Sequence, residues 1–308
     1  MKISVVIPLF NKAKFISRAL ESISAQVKKP LEIIVVNDGS TDESASIVRS
    51  FSKCDVRFIN HDKNLGVSCA RNSGISAALG DFIAFLDADD YWQPNFLEVI
   101  EELYEQYPNG KVFFTSYHFY DGRTLTPAKH AHLPSVKGEV KNYFLSCCNA
   151  DLPITASSVC IEASILKTVG MFPKGLMLGE DQTVWGKLAC ITKMYCSADK
   201  AAVYDLNASK PCSLEHVELS PHIYYFDSLA KDDSTPEHLV PSINYLLHLS
   251  VMSYVRKNLM NGNKRTALIT LKSNRYLIWD KYRVIAFLLL LLPKSLVSRF
   301  FRYARTFR

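Results

Sequence analysis

The sequence predicts an α/β fold in which a mostly parallel, Rossmann-like sheet is flanked by helices and followed by a helical appendage. Three observations carry that reading. Strand-length apolar runs alternate with helical stripes four times within the first ninety residues, the pattern of parallel β crossovers. The run Phe82-Ile83-Ala84-Phe85-Leu86 is apolar throughout, as in a strand covered on both faces. From about residue 221 the strand signals stop and a helical period takes over, so an α/β domain is expected over 1–220, the helical appendage over 221–280 and a basic tail over 281–308.

Residues 3–9 (ISVVIPL) read as the first strand, and Asn11 as the cap of a helix whose stripe holds Phe15, Ile16, Leu20 and Ile23. The second strand is LEIIVVN at 31–37, and Asp38-Gly39-Ser40-Thr41-Asp42 then reads as a turn and a helix N-cap. VRFIN at 56–60 is the third, with a helix expected over 67–79. Asp87, Asp89 and Asp90 follow the fourth strand, at the edge where open parallel sheets bind ligands. The Asp-x-Asp spacing offers hard oxygens suited to Mg²⁺ or Mn²⁺, ions that bridge phosphate oxygens. The competing reading is a plain turn in which Asp90 or Asn95 caps the helix starting near Pro94.

Further on, KVFFTSY at 111–117 and PITASSVCI at 153–161 read as strands, and 163–169 as a short helix ended by Gly170. Residues 118–150 have no clear assignment, and His118, His130 and His132 within them read as solvated loop residues. Leu178-Gly179-Glu180-Asp181-Gln182 opens a helix continuing through Trp185 to Ala189, with acids in the first turn where the macrodipole favours them. In the last third, Leu239, Ile243, Leu246, Leu247 and Val251 form one stripe before Asn261-Gly262-Asn263 breaks it, and a shorter helix is expected over 264–276.

Composition narrows the function classes. Eight cysteines contain no Cys-x-x-Cys pair and, with no export signal read in MKISVVIPLF, are expected to be reduced thiols rather than zinc ligands. The net charge is +6, yet removing 281–308 leaves 29 basic against 30 acidic residues, which argues against a nucleic-acid groove in the main domain. Neither a Gly-x-Gly-x-x-Gly nor a Gly-x-x-x-x-Gly-Lys-Ser/Thr loop is present. Asp38 suits a nucleobase edge or ribose, or a plain turn; Arg71 suits a nucleotide base or phosphate, or a solvated helix face.

The tail is amphipathic. VIAFLLLLL at 284–292, closed by Pro293, is about half the length a membrane-spanning helix needs. Beyond it Leu296, Val297, Phe300, Phe301, Ala304 and Phe307 share one arc, opposite Lys294, Arg299, Arg302, Arg305 and Arg308. This is the pattern of an interfacial helix on anionic lipid, or of a core helix with a solvated basic end. The first reading puts the chain in the cytoplasm, peripheral on the inner face of the cell membrane.

VVIPLFN at 5–11, VVNDGSTD at 35–42, NLGVSCARNSG at 64–74, FLDADD at 85–90 and GEDQTVW at 179–185 resemble, in that order, the motif series of family 2 glycosyltransferases with the GT-A fold. The resemblance covers roughly 1–206. It implies transfer of a sugar from a nucleotide-diphospho-sugar, usually UDP-linked, with inversion at the anomeric carbon and with Mn²⁺ or Mg²⁺. Carried onto this sequence, it has Pro8 and Phe10 lining the base pocket and Asp38 and Arg71 holding the nucleobase. Asp87 lies against the ribose and the metal, Asp89 is the principal metal ligand, and Asp181 is the catalytic base with Glu180 as the fallback. Glu180 and Trp185 shape the acceptor side. One departure stands out: where related enzymes carry a His, this chain has Tyr204-Asp205-Leu206-Asn207, leaving His216 as a distant substitute. The expected acceptor is a growing polysaccharide, lipopolysaccharide or lipid-linked glycan, with an anionic membrane surface as a partner through 284–308. A polyprenyl-phosphate sugar transferase and a non-catalytic nucleotide-sugar binding module are the alternatives.

Overall fold

The computed structural model describes residues 1–308 except 149, 177, 209–218, 220 and 306–308, with the backbone alone at 302–305. The chain divides into two compact units, Met1–Ser209 and Lys210–Arg308, so the first ends ahead of the boundary expected at 220.

The first unit is built on one ten-stranded sheet: β1 Ile3–Leu9, β2 Glu32–Asp38, β3 Val56–His61, β4 Phe82–Phe85, β5 Tyr91–Trp92, β6 Val112–Tyr120, β7 Leu125–Pro127, β8 Lys137–Glu139, β9 Val159–Glu162 and β10 Met194–Asp205. The order is β3-β2-β1-β4-β9-β6-β10-β5, with β7 paired to β6 and β8 to β10. β2, β1 and β4 run parallel. β2 lies on one side of β1 and β4 on the other, so the order reverses at β1. That reversal opens a crevice beyond the carboxyl ends of these strands. β9 is antiparallel to both β4 and β6. It is shorter than the strand read at 153–161, because residues Ala156–Ser158 tighten into a 3₁₀ turn.

Helices cover the sheet as the stripes predict. They are α1 Ile16–Ser24, α2 Ser44–Ser50, α3 Val67–Ala77, α4 Phe96–Gln106, α5 Tyr143–Ser146, α6 Ala163–Thr168 and α7 Glu180–Ile191. All seven residues of β1 and all four of β4 are buried, and α1 adds Ile16, Ala19, Leu20 and Ile23 to the core. α3 comes so close to β1 that a Cβ at Gly74 would lie 2.3 Å from Val6 Cγ1, so only glycine permits the approach that fixes this helix. Asn11 does not cap α1. Its backbone is left-handed, with φ 50, and its Oδ1 accepts from Thr41 N at 2.8 Å, tying the loop after β1 to the loop after β2.

The second unit is helical: α8 His222–Lys231, α9 Val240–Asn261, α10 Lys264–Ser273, α11 Lys281–Leu289 and α12 Lys294–Arg305. α9 ends at Gly262 with φ 86, the left-handed cap expected of a helix stop. Val251, Val255 and Leu259 pack with Ala267, Leu271, Leu277, Ala286, Leu289 and Val297, and Phe301 packs against the cluster. The apolar arc of α12 is therefore partly spent on the unit's own core rather than left for lipid. Among the described residues no helix is long and apolar enough to cross a membrane.

Candidate active site

The crevice at the carboxyl ends of β1, β2 and β4 collects charged groups from five elements. Arg71 is central. Its position on α3 puts the guanidinium in the interior, where Nη2 donates to Asp87 Oδ1 at 2.8 Å and Nη1 to Glu180 Oε1 at 2.8 Å. The ring of Phe172 lies 5.1 Å from the guanidinium carbon, and Nε has no partner among the described residues. Burial works against the Arg71 charge, but the Asp87 and Glu180 carboxylates more than offset it and raise its pKa. One side chain thus holds the acids after β4 and the acid pair opening α7 together. An Arg fork matches two carboxylates at fixed angles, which a Lys cannot do.

The acids after β4 are not equivalent. Burial, then the neighbouring Asp87 charge, raise the pKa of Asp89, and Lys12 partly opposes them; Lys12 Nζ donates to Asp89 Oδ2 at 2.5 Å and to Ala208 O at 3.2 Å. Asp90 is 2 % exposed and is pushed well above the usual carboxylate range by burial and by Asp87 and Asp89. It accepts from Ser157 Oγ at 2.5 Å and from Asp205 N at 2.9 Å. It therefore braces the loop internally and does not cap α4.

Asp181 is half-buried in the first turn of α7, which starts at Gly179 with φ 81. Burial, then the Glu180 charge, push its pKa up to about 6, with Arg71 pulling the other way. Its Oδ1 accepts from Gln182 N at 2.7 Å. A carboxyl group with its pKa near neutrality can accept a proton at working pH and hold it in the transition state.

Three of the expected site side chains are engaged within the protein. Arg71 does not reach out as a free base-binding cation; its two terminal nitrogens are taken by Asp87 and Glu180. Trp185 lies fully buried against the Phe172 ring at a centroid distance of 5.8 Å, so it supports the site from beneath and offers no face to an acceptor. Asp38 is an organiser of the loop before α3. Its carboxylate accepts from Leu65 N at 3.0 Å and Gly66 N at 2.8 Å and lies 2.7 Å from His61 Nδ1. His61 Nε2 lies 2.9 Å from Ser73 Oγ, so the imidazole links Asp38 to α3. Pro8 is buried within β1, while Phe10 just beyond it is 41 % exposed.

Lys12, Arg18, Ser157 and Asp205 are the residues the sequence reading missed. Arg18 Nη2 donates to Asp205 Oδ2 and to Asp89 O, each at 2.6 Å, and its guanidinium lies over Tyr91 at 4.5 Å. Asp205 occupies the stretch where a His was expected. Its carboxylate is committed to Arg18 and to Asn207 N at 2.8 Å. His216 lies outside the described residues. A signal for Lys12 was present: a cation directly after the first strand, facing an edge already rich in acids.

A cavity of about 720 Å³ lined by Gly80, Tyr104, Lys111 and Lys167 sits at the amino end of β4. That is the opposite edge of the sheet from the carboxylates, and none of the groups above reaches it.

The family model for glycosyl transferase family 2 matches residues 4–157, half of the chain. The chain belongs to glycosyl transferase family 2. Among its relatives is the glycosyltransferase GlyA of Streptococcus pneumoniae, 37% identical over 107 residues, 34% of this chain but 15% of GlyA. The chain thus spans a small part of that relative's length. Among solved structures, Staphylococcus aureus TarS 1-349 in complex with UDP-GlcNAc superposes with a TM-score of 0.69 at 20% identity, covering 99% of this chain and 92% of that one. The mannosyltransferase PcManGT of Pyrobaculum calidifontis, in complex with GDP-Man and Mn²⁺, gives a TM-score of 0.59 at 15% identity over 97% of this chain and 83% of that one. These likenesses establish for this family 2 chain the α/β architecture with a central sheet and a helical C-terminal region.

Whether the family 2 site suits a divalent ion depends on its own donors. Among the described residues no three His, Cys, Asp or Glu side chains come together as a ligand cluster. The donors nonetheless fit the ion in kind. Asp87 and Asp89 supply hard carboxylate oxygens, each already paired with one cation, Arg71 on Asp87 and Lys12 on Asp89.

Proposed function

We propose that this chain transfers a sugar from a UDP-sugar or other nucleotide-diphospho-sugar to a hydroxyl of a growing polysaccharide, lipopolysaccharide or lipid-linked glycan, with inversion at the anomeric carbon. The observation that supports this most is the Arg71 clamp. It ties Asp87, after β4, and Glu180, in the acid pair opening α7, to either side of one guanidinium.

Inversion requires the acceptor hydroxyl to attack from the face opposite the leaving diphosphate, and a carboxylate must take its proton. Asp181 meets that requirement, being half-buried, fixed at Oδ1 by Gln182 N, and poised at about 6. Glu180 is the alternative base, but Arg71 already engages it. Asp87 and Asp89 would hold a divalent ion, which when bound neutralises charge gained by the departing diphosphate. Lys12 and Arg71 engage Asp89 and Asp87 through ion pairs, so a bound ion would share these carboxylates with them. Phe10, exposed at the mouth, suits stacking against a nucleobase. The acceptor is met at a membrane surface, where the chain binds peripherally.

A screen of nucleotide sugars for nucleotide release, with Asp89→Ala and Asp181→Ala, tests the proposal. Asp89→Ala should lose donor binding, whereas Asp181→Ala should keep donor binding and lose about a thousandfold in turnover. Normal transfer by Asp181→Ala would remove it as the base.

A further inference from the structure

We propose that the helical unit carries a lipid-docking face on α11 and the turns flanking it, and that this face seats on an anionic bilayer. The inference rests on the membrane-surface reading above and changes which residues make contact.

The apolar arc of α12 is poorly free to do so, because Val297 is fully buried and Phe301 packs on the unit's core. Leu296 and Phe300 of that arc stay exposed, but the most exposed apolar residues of the unit lie before, along and just after α11. Trp279 is 72 % exposed, Leu288 59 % and Leu291 81 %, and Ile278, Tyr282 and Ile285 are exposed with them. Tyr282, Ile285 and Leu288 recur at helical spacing along α11, so they form one ridge, continued by Leu291 and Leu292 in the turn after it, while Ala286 and Leu289 face the core. A contiguous apolar ridge on a surface marks a binding face.

Charge identifies the occupant. Residues 240–308 contain thirteen Lys or Arg and a single acid, Asp280. That acid is committed inward: Oδ1 accepts from Arg283 N at 2.8 Å as the cap of α11, and Oδ2 lies 3.1 Å from His248 Nε2. Lys281, Lys294 and Arg299 stand exposed beside the ridge. Apolar side chains bordered by cations, with no exposed acid among them, match a bilayer bearing anionic headgroups. A second copy of the same face would bring like charges together.

The ridge is also held in shape. Arg283 is buried, donates to Leu277 O at 2.9 Å and to Leu271 O, and lies under the Trp279 ring at 4.4 Å. Trp279 in turn stacks on Phe287 at 6.0 Å. The exposed indole is therefore pre-positioned, and an amphipathic ring of this kind favours the headgroup level.

The full chain should be mixed with vesicles of phosphatidylcholine alone and with added phosphatidylglycerol, reading Trp fluorescence and co-flotation. Trp92 and Trp185 are buried, so a change in emission reports Trp279. A blue shift and flotation confined to phosphatidylglycerol vesicles, weakened by salt, are expected. The variant Leu288→Ser/Leu291→Ser should lose at least about tenfold in vesicle affinity, with its melting temperature and its nucleotide release in solution unchanged. Equal binding to neutral vesicles, unaltered binding by the variant, or a dimer whose Trp emission is already blue without lipid would each overturn the docking face. Failure of the glycosyl-transfer reading shows separately, as absence of nucleotide release by both proteins.

Discussion

The two units of this chain handle charge in opposite ways. In Met1–Ser209 the functional charges are buried or half-buried and matched one against another: Arg71 lies between Asp87 and Glu180, Lys12 on Asp89 and Arg18 on Asp205. Among the described residues of Lys210–Arg308 the cations are mostly on the surface, as are many apolar side chains. Buried matched charges lose heavily when one partner is removed, since the other stays desolvated. Surface charges lose little individually. The first unit should therefore be brittle to single substitutions at its site, and the second should respond only when its apolar ridge is altered.

The largest effect that would break or sharpen this contrast is at Arg71. Arg71→Leu strands the buried Glu180 and the half-buried Asp87 without their cation, and a loss of about 3–5 kcal/mol in urea unfolding is expected along with turnover. A change below about 1 kcal/mol would mean the clamp is no more than a surface pair. A smaller effect is expected at Lys12. Lys12→Met frees the Asp89 carboxylate from its ammonium partner, so a divalent ion should bind more tightly, by about tenfold in a Mn²⁺ titration of nucleotide release. Unchanged or weaker Mn²⁺ dependence would show that Lys12 and the ion do not share Asp89.

The same contrast explains what could be read from the sequence. β1 to β4 and α3 were legible because a covered strand and a packed helix each leave a local apolar period. The places of the acids were legible too, as Asp87 and Asp89 follow a strand and Asp181 opens a helix; the roles given them came from the family resemblance. Their partners were not. Arg71 meets groups 16 and 109 residues away, and Lys12 meets one 77 away, separations at which no spacing rule operates. Asn11 reads as a cap locally, yet it serves the loop after β2. Trp185 sits at a helical spacing that suits a pocket wall or a core alike, and the neighbouring Phe172 decides for the core. For α12 a helical wheel separates apolar from basic arcs, but it cannot tell whether the apolar arc faces protein or lipid; the packing of Val297 does that.

In the proposed function Asp181 is the carboxylate on which transfer depends, and its proton affinity is set by its surroundings. Burial and Glu180 raise its pKa to about 6, and a base must be ionised to work, so activity should be full above that pH and fall as pH drops through it. The direct measurement is kcat/KM for sugar transfer against pH, in the wild type and in Glu180→Gln. A tenfold fall per pH unit below about 6 is expected in the wild type, with the break moved to lower pH in Glu180→Gln because a neighbouring negative charge is gone. A wild-type profile flat to well below pH 5, or a break that stays in place in Glu180→Gln, would contradict the assignment.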